Sequence, residues 1–304
     1  MLRSRRRQHE RGQVAFAHNG DVELFYETFG RTTDPAMLLV NGLGSQCISY
    51  RTEFCQRIAN LGYLVIRYDN RDVGLSTKFD HVRPDVGGVL RALAGGLGAS
   101  APYLLADMAG DAVGVLDDLG IERAHVVGVS MGGMIAQTMA IEFPERVASL
   151  TSIMSTTGDR DVGQPTSVAL RALLAPPSTD RASYVARQLA GARAWGSPNL
   201  YDEARLSAAA DEAFERSFSP AGFARQFIAI QASGSRTKAL AEVQVRTLVV
   251  HGDADTLIDI SGGRRTAAAV PKARFVEIQG MGHDYSPEHW EQLIGLVHGH
   301  ASAN

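Results

Sequence analysis

Apolar positions follow two regimes along this chain. From Ala36 to Met154, short and mostly apolar runs alternate with longer segments of helical periodicity. From about Thr156 to Val243 only the helical periodicity remains, and after Arg246 the short runs return. Runs of this length, bounded by Gly, Asn and Asp, fit strands buried on both faces. They are Ala36–Val40, Tyr63–Tyr68, His125–Val129, Val147–Met154, Arg246–His251 and Ala273–Ile278. Between them the spacing predicts helices over Ser49–Leu61, Leu104–Leu119 and Met131–Phe143, the first two followed by Gly62 and Gly120. A last helix is expected over Pro287–Val297. Upstream, Gln13–Ala17 and Val22–Phe29 alternate around Asn19-Gly20-Asp21, the signature of an edge hairpin. The β-α-β-α order argues for an α/β protein with a mostly parallel sheet and helices on both faces.

The middle regime reads as a helical insertion between two sheet strands. Segments Thr166–Leu174, Asp180–Ala194, Asn199–Phe214 and Pro220–Gly234 are punctuated by Pro165, Pro176-Pro177, Ser197-Pro198 and Ser219-Pro220. We therefore expect a core of residues 13–155 and 244–304, with a helical cap over 156–243. Its larger apolar residues, Leu189, Trp195, Phe218, Phe223 and Phe227, are expected mainly to pack the cap rather than line a pocket. The Gly/Ala-rich stretch Val82–Pro102, with a weak helical segment at Val89–Leu93, is expected to be a mobile excursion near the site entrance.

Composition changes little in this picture. With 304 residues, 45% of them hydrophobic, the chain can bury a core that needs neither disulfide nor metal. A formal charge of −3 gives no basic excess for nucleic acid. The two cysteines, Cys47 and Cys55, form no disulfide framework or zinc pattern and suit a reducing compartment. Residues 1–12 are basic and polar without a following apolar segment, so a disordered tail is expected rather than a secretory signal. No apolar run is long enough to span a membrane, and a cytoplasmic location is expected.

Candidate chemistry collects where the strands end. Gly128-Val129-Ser130-Met131-Gly132 joins an apolar strand to an apolar helix, the arrangement called a nucleophile elbow. A serine on so sharp a turn leaves no room for side chains two positions either side, which Gly128 and Gly132 answer. The Met131 N–H then opens the helix beside the hydroxyl and can meet an oxyanion. The loop Asn41-Gly42-Leu43-Gly44 ends a neighbouring strand and offers the Leu43 N–H as a second donor. A serine hydroxyl needs a base, and the base a carboxylate. Among nine histidines, only His283 sits on a Gly-flanked loop at a strand exit. Asp253 and Asp255 both follow Gly252; Asp255 has more room to turn inward, while Asp253 is placed to bond its own turn. In Asp69–Ser76 the adjacent Arg71 and Asp72 are expected to brace each other and the loop.

Together, Val40-Asn41-Gly42-Leu43-Gly44, Tyr68–Ser76, Gly128–Gly133, His251–Asp255 and Gly280-Met281-Gly282-His283 resemble the α/β-hydrolase superfamily. They are most similar to its capped carboxylesterase/lipase branch, which includes aclacinomycin methylesterase. The resemblance covers about residues 22–300 and is least specific in the cap. It implies an α/β-hydrolase fold, with Ser130 as nucleophile, His283 as base, Asp255 as acid, and Leu43 and Met131 as oxyanion donors. It further implies a cofactor-free serine hydrolase of small-molecule carboxylic esters, working through an acyl-enzyme. Perhydrolysis, lactone opening, C–C hydrolysis or ligand binding without turnover are the alternatives on the same scaffold. Many members carry His-Gly where this chain has Asn41-Gly42.

Overall fold

The computed structural model describes residues 14–85, 87–88 and 100–303. The tail over 1–12 and the segment Val89–Leu93 lie outside the described residues. An eight-stranded sheet organises the rest. Its strands are β1 (Val14–Asn19), β2 (Val22–Phe29), β3 (Ala36–Val40), β4 (Leu64–Tyr68), β5 (Ala124–Val129), β6 (Val147–Ile153), β7 (Thr247–Gly252) and β8 (Arg274–Ile278). They lie side by side in the order β1-β2-β4-β3-β5-β6-β7-β8. The hairpin β1–β2 and the β2–β4 pair are antiparallel, and every later pair is parallel.

Apolar runs become strands here because both faces of the sheet are covered. Alternate side chains of one strand enter different cores. Leu38, Val40, Ile66 and Val126 pack with α2 (Leu105–Asp118) and α3 (Met131–Glu142), through Met108, Met134 and Ile135. Met37, Leu39, Val65 and Val127 face the other way. They meet α1 (Thr52–Ala59) and α10 (Trp290–Ala301), through Phe54, Ile58, Leu293 and Val297. The helix α3 is buried nearly all round, which is why it reads as continuously apolar rather than amphipathic.

Between β6 and β7 the chain forms α4 (Ser167–Leu173), α5 (Arg181–Trp195), α6 (Glu203–Arg216), α7 (Pro220–Ser233) and the short α8 (Thr237–Leu240). Polar caps set the starts of α4, α5 and α6. Thr166 accepts from the Ala169 N–H, Asp180 from Ser183, and Asp202 from Arg205. The Asp202 cap explains why α6 begins four residues beyond the expected Asn199. Tyr184, Phe214 and Phe218 form an aromatic cluster inside this insertion. Two helices were not foreseen: the four-residue α8, and α9 (Ser261–Ala269), whose first turn holds Gly262 and Gly263. A Cβ on Gly263 would lie 2.4 Å from the His251 ring, so close helix–strand packing, not a loop, explains that glycine. No described helix is long and apolar enough to cross a membrane.

Candidate active site

The carboxyl ends of β3, β5, β7 and β8 bring the expected site residues together. Ser130 follows β5 directly and takes φ 56°, ψ −121°, a region that non-glycine residues rarely occupy. The surroundings hold it there. Its N–H donates to the Ile153 carbonyl at 3.0 Å, and its own carbonyl accepts from the Ser155 hydroxyl at 2.8 Å. A Cβ on Gly128 would lie 2.1 Å from the Gly132 carbonyl oxygen, and one on Gly132 would lie 2.0 Å from that of Val40. Neither position can carry a side chain without moving the turn.

His283 enters from the loop after β8. Its Nε2 lies 3.0 Å from Ser130 Oγ and its Nδ1 2.7 Å from Asp255 Oδ2. The contact bridges 153 positions of sequence. Asp255 is buried at the end of β7, and its Oδ1 accepts two backbone N–H bonds, from Leu257 and Ile258, at 2.9 Å each. Burial alone would push this carboxyl up. The opposing charge of His283 and the donors from His251 and His283 outweigh it and hold Asp255 well below the usual carboxylate range. Asp253 points to solvent and accepts from the Gly280 N–H at 2.6 Å, across the turn. Asp255, the residue the sequence favours, thus lies against the histidine, and Asp253 bonds its own turn.

The Asn41–Gly44 loop lies against the serine. A Cβ on Gly42 would sit 3.2 Å from that of Ser130. Met131 is the first residue of α3, so its N–H has no acceptor within the helix. Asn41, in place of the common histidine, is buried. Its side chain accepts from Ser49 Oγ at 2.6 Å, and its carbonyl accepts from Asn70 Nδ2 at 3.1 Å.

The Asp69–Ser76 loop is braced, but not as its sequence suggested. Arg71 pairs with Asp111 of α2, at 2.6 and 2.7 Å. Asp72 pairs with Arg225 of α7, at 2.9 and 2.7 Å, and also accepts from the Tyr103 hydroxyl and the Phe79 N–H. Asp69 pairs with Arg216 of α6 at 2.7 Å. Adjacent side chains of the loop point apart, so each charge found its partner far along the chain.

The insertion also touches the histidine loop. The carbonyl of Trp195, last residue of α5, accepts from the His283 N–H at 2.6 Å. Ser197 Oγ accepts from the Gly282 N–H at 2.9 Å and donates to Asp284 at 3.0 Å. Thr256, beside Asp255, donates to the Ala194 carbonyl at 2.7 Å.

This geometry agrees with comparison to known proteins, in which the alpha/beta hydrolase fold family matches residues 35–289. The chain belongs to the α/β-hydrolase-fold family. It is 28% identical over 309 residues to rhodomycin D methylesterase DauP of Streptomyces sp. (strain C5), covering 93% of this chain and 96% of that protein. It is likewise 28% identical over 311 residues to rhodomycin D methylesterase DnrP of Streptomyces peucetius, covering 94% and 97%. Among solved structures, the enol-lactonase from Burkholderia xenovorans LB400 superposes with a TM-score of 0.74 at 22% identity, over 95% of this chain and 100% of that one.

Within this α/β-hydrolase fold, several contacts at the site escaped sequence reasoning. His251 was expected only to be buried in its strand. It is fully buried, with Nε2 2.8 Å from the Ile258 carbonyl and 3.3 Å from Asp255 Oδ2. Both neighbours are acceptors, so Nε2 carries the proton. The i, i+4 spacing of His251 and Asp255 across a turn was the available signal. Ser155 and Ser197 gave none, since a serine in a loop has no distinguishing pattern. Of the insertion's aromatics, Phe218 joins the cluster with Tyr184 and Phe214, while Phe227 packs with Ile228 against Leu43. The Phe223 ring lies under Arg187, 5.0 Å from the guanidinium.

Proposed function

We propose that the protein is a serine hydrolase of carboxylic esters acting through an acyl-enzyme. The unbroken contact Ser130–His283–Asp255 carries this reading. Ser130 Oγ attacks the ester carbonyl while His283 Nε2 takes its proton. Asp255 holds His283 with the Nδ1 proton facing the carboxylate and stabilises the imidazolium as it forms. The tetrahedral oxyanion is met by the N–H groups of Leu43 and Met131, each worth roughly 3 kcal/mol in the transition state. His283 then passes its proton to the leaving alcohol, and a water activated by the same imidazole releases the acid. No cofactor enters these steps.

The near full-length similarity to rhodomycin D methylesterases supports a small-molecule ester as substrate. Residues 156–243 act in this reading as a cap over the sheet's carboxyl edge, excluding water and shaping the acyl and alcohol sites. The test is intact-mass spectrometry after treatment with a fluorophosphonate, alongside ester turnover. Wild type should gain one adduct, while Ser130→Ala and His283→Ala gain none and lose turnover. Undiminished ester hydrolysis by Ser130→Ala would sink the proposal.

A further inference from the structure

The loop that carries the Leu43 N–H is not held by the core alone. Gln226, on α7 of the insertion, is fully buried against it. Its Oε1 accepts from the Gly44 N–H at 2.8 Å, and its Nε2 donates to the Arg71 carbonyl at 2.7 Å. One partner is a donor and the other an acceptor, so the orientation of the amide is unambiguous. A primary amide is the neutral side chain able to close both bonds at once. An apolar residue of equal length would leave a buried N–H and a buried C=O without partners.

Further contacts converge on the same turn. Gly44 has φ +68°, and a Cβ there would lie 2.7 Å from the Phe223 ring, one helical turn before Gln226. The Ser45 N–H closes the turn onto the Gly42 carbonyl at 3.2 Å. Gln46 donates to the Ala213 and Ser217 carbonyls, at 2.6 and 2.9 Å, and accepts from Arg216 at 2.7 Å. Phe223 and the partners of Gln46 all lie in the insertion. The turn from Gly42 to Gln46 is therefore held from outside by α6 and α7, while its inner side meets Ser130.

We propose that Gln226 is a positioning residue for the oxyanion hole: through Gly44, the insertion sets where the Leu43 N–H points. This rests on the esterase reading above, in which Leu43 is an oxyanion donor. Donor placement matters steeply, since a shift of about 1 Å in a reacting geometry can cost on the order of 100-fold. Loss of the Gln226 bridge should therefore act on the transition state and leave ground-state binding nearly untouched.

The experiment compares wild type, Gln226→Met, Gly44→Ala and Ser130→Ala. Active sites are counted by fluorophosphonate adducts, and rates on p-nitrophenyl butyrate are expressed per active site. We expect Gln226→Met to label to full stoichiometry, with labelling rate and kcat per site both lowered by about 10- to 100-fold. KM should change by less than about threefold, and inhibition by butylboronic acid, which binds as a tetrahedral adduct, should weaken in step with kcat. Gly44→Ala, which presses on Phe223 from the other side, should give the same signature even where the first variant folds poorly. Wild-type labelling rate, kcat per site and boronate affinity in the variants would overturn the inference while leaving the esterase reading intact. Wild type that takes no adduct and turns over no ester removes both.

Discussion

Arg225 offers the sharpest energetic test of how the insertion is anchored. Its side chain is 1% exposed and that of Asp72 is 0% exposed, and two hydrogen bonds of 2.9 and 2.7 Å join them. Arg225→Met removes the cation and keeps much of the volume. Asp72 would remain a buried carboxylate with the Tyr103 hydroxyl and Phe79 N–H as remaining donors. Breaking one side of a buried pair typically costs about 3–5 kcal/mol, and two surviving donors place this case near the lower end, at about 3 kcal/mol. For a chain of this size that corresponds to a fall in Tm of roughly 5 °C. Asp72→Asn should cost less, about 1–3 kcal/mol, since the guanidinium keeps the Val82 carbonyl at 3.0 Å and Asp80 at 3.1 Å. Asparagine also tolerates the φ of 73° found there, so backbone strain does not confuse the comparison. The double variant should lose less than the sum, with a coupling energy of about 1–2 kcal/mol. Urea denaturation followed by near- and far-ultraviolet circular dichroism measures all four proteins. Additive losses, or a cost below about 1 kcal/mol for Arg225→Met, would show that the pair contributes little and that packing alone anchors α7.

Three further outcomes follow, two from the site and one from a carboxyl outside it. Asp255→Asn should lower kcat by about 10⁴-fold by disfavouring the productive histidine tautomer, whereas Asp253→Asn should stay within about threefold of wild type; equal losses in steady-state ester hydrolysis would refute the assignment. Gly132→Ala should cost at least about 100-fold in kcat/KM, because its Cβ would fall 2.0 Å from the Val40 carbonyl oxygen and the turn carrying Ser130 must shift. Asp159 is held down to about 2, because its hydrogen bonds from Ser235, Thr237 and Arg265 outweigh burial, which alone would raise it. A depressed carboxyl adds stability above its unfolded value of about 3.9 and loses it as pH falls toward the folded value. Asp159→Asn should therefore destabilise the protein at pH 7 and make little difference near pH 2, as read by urea midpoints at each pH.

What the sequence disclosed was local. Ser130 could be placed because its requirements, a strand, two glycines and a helix, lie within a few residues. Strands β3, β4 and β7 were legible because they are buried on both faces and mainly apolar, with Arg67, Thr247 and His251 as the exceptions. His283 was separable from the other histidines by the glycines beside it. Asp253 and Asp255 were harder, since two carboxylates a residue apart differ only in which way a turn carries them. The Arg71–Asp72 expectation failed for a related reason. Neighbours in a loop diverge, and Asp72 met an arginine 153 positions away. Helix α9 stayed hidden because Gly262 and Gly263 make way for Thr156 and His251, a packing demand written in another part of the chain. The substitution of Asn41 for the common histidine was visible, but its partnership with Ser49 and Asn70 was not.

The stitches between insertion and catalytic loops bear on how such an enzyme can diversify. Trp195 and Ser197 secure the histidine loop, and Gln226 secures the turn beside Leu43. The insertion is thus no detachable module. A chimera that replaces residues 156–243 wholesale discards these fasteners along with the cap proposed above. A graft that retains Ala194–Ser197 and Arg225–Gln226 while exchanging α4 and the outer surfaces of α5 and α6 keeps the reacting groups in register. Recombination between relatives is expected to yield active hybrids when crossovers respect those two short stretches, and silent ones when they cut through them.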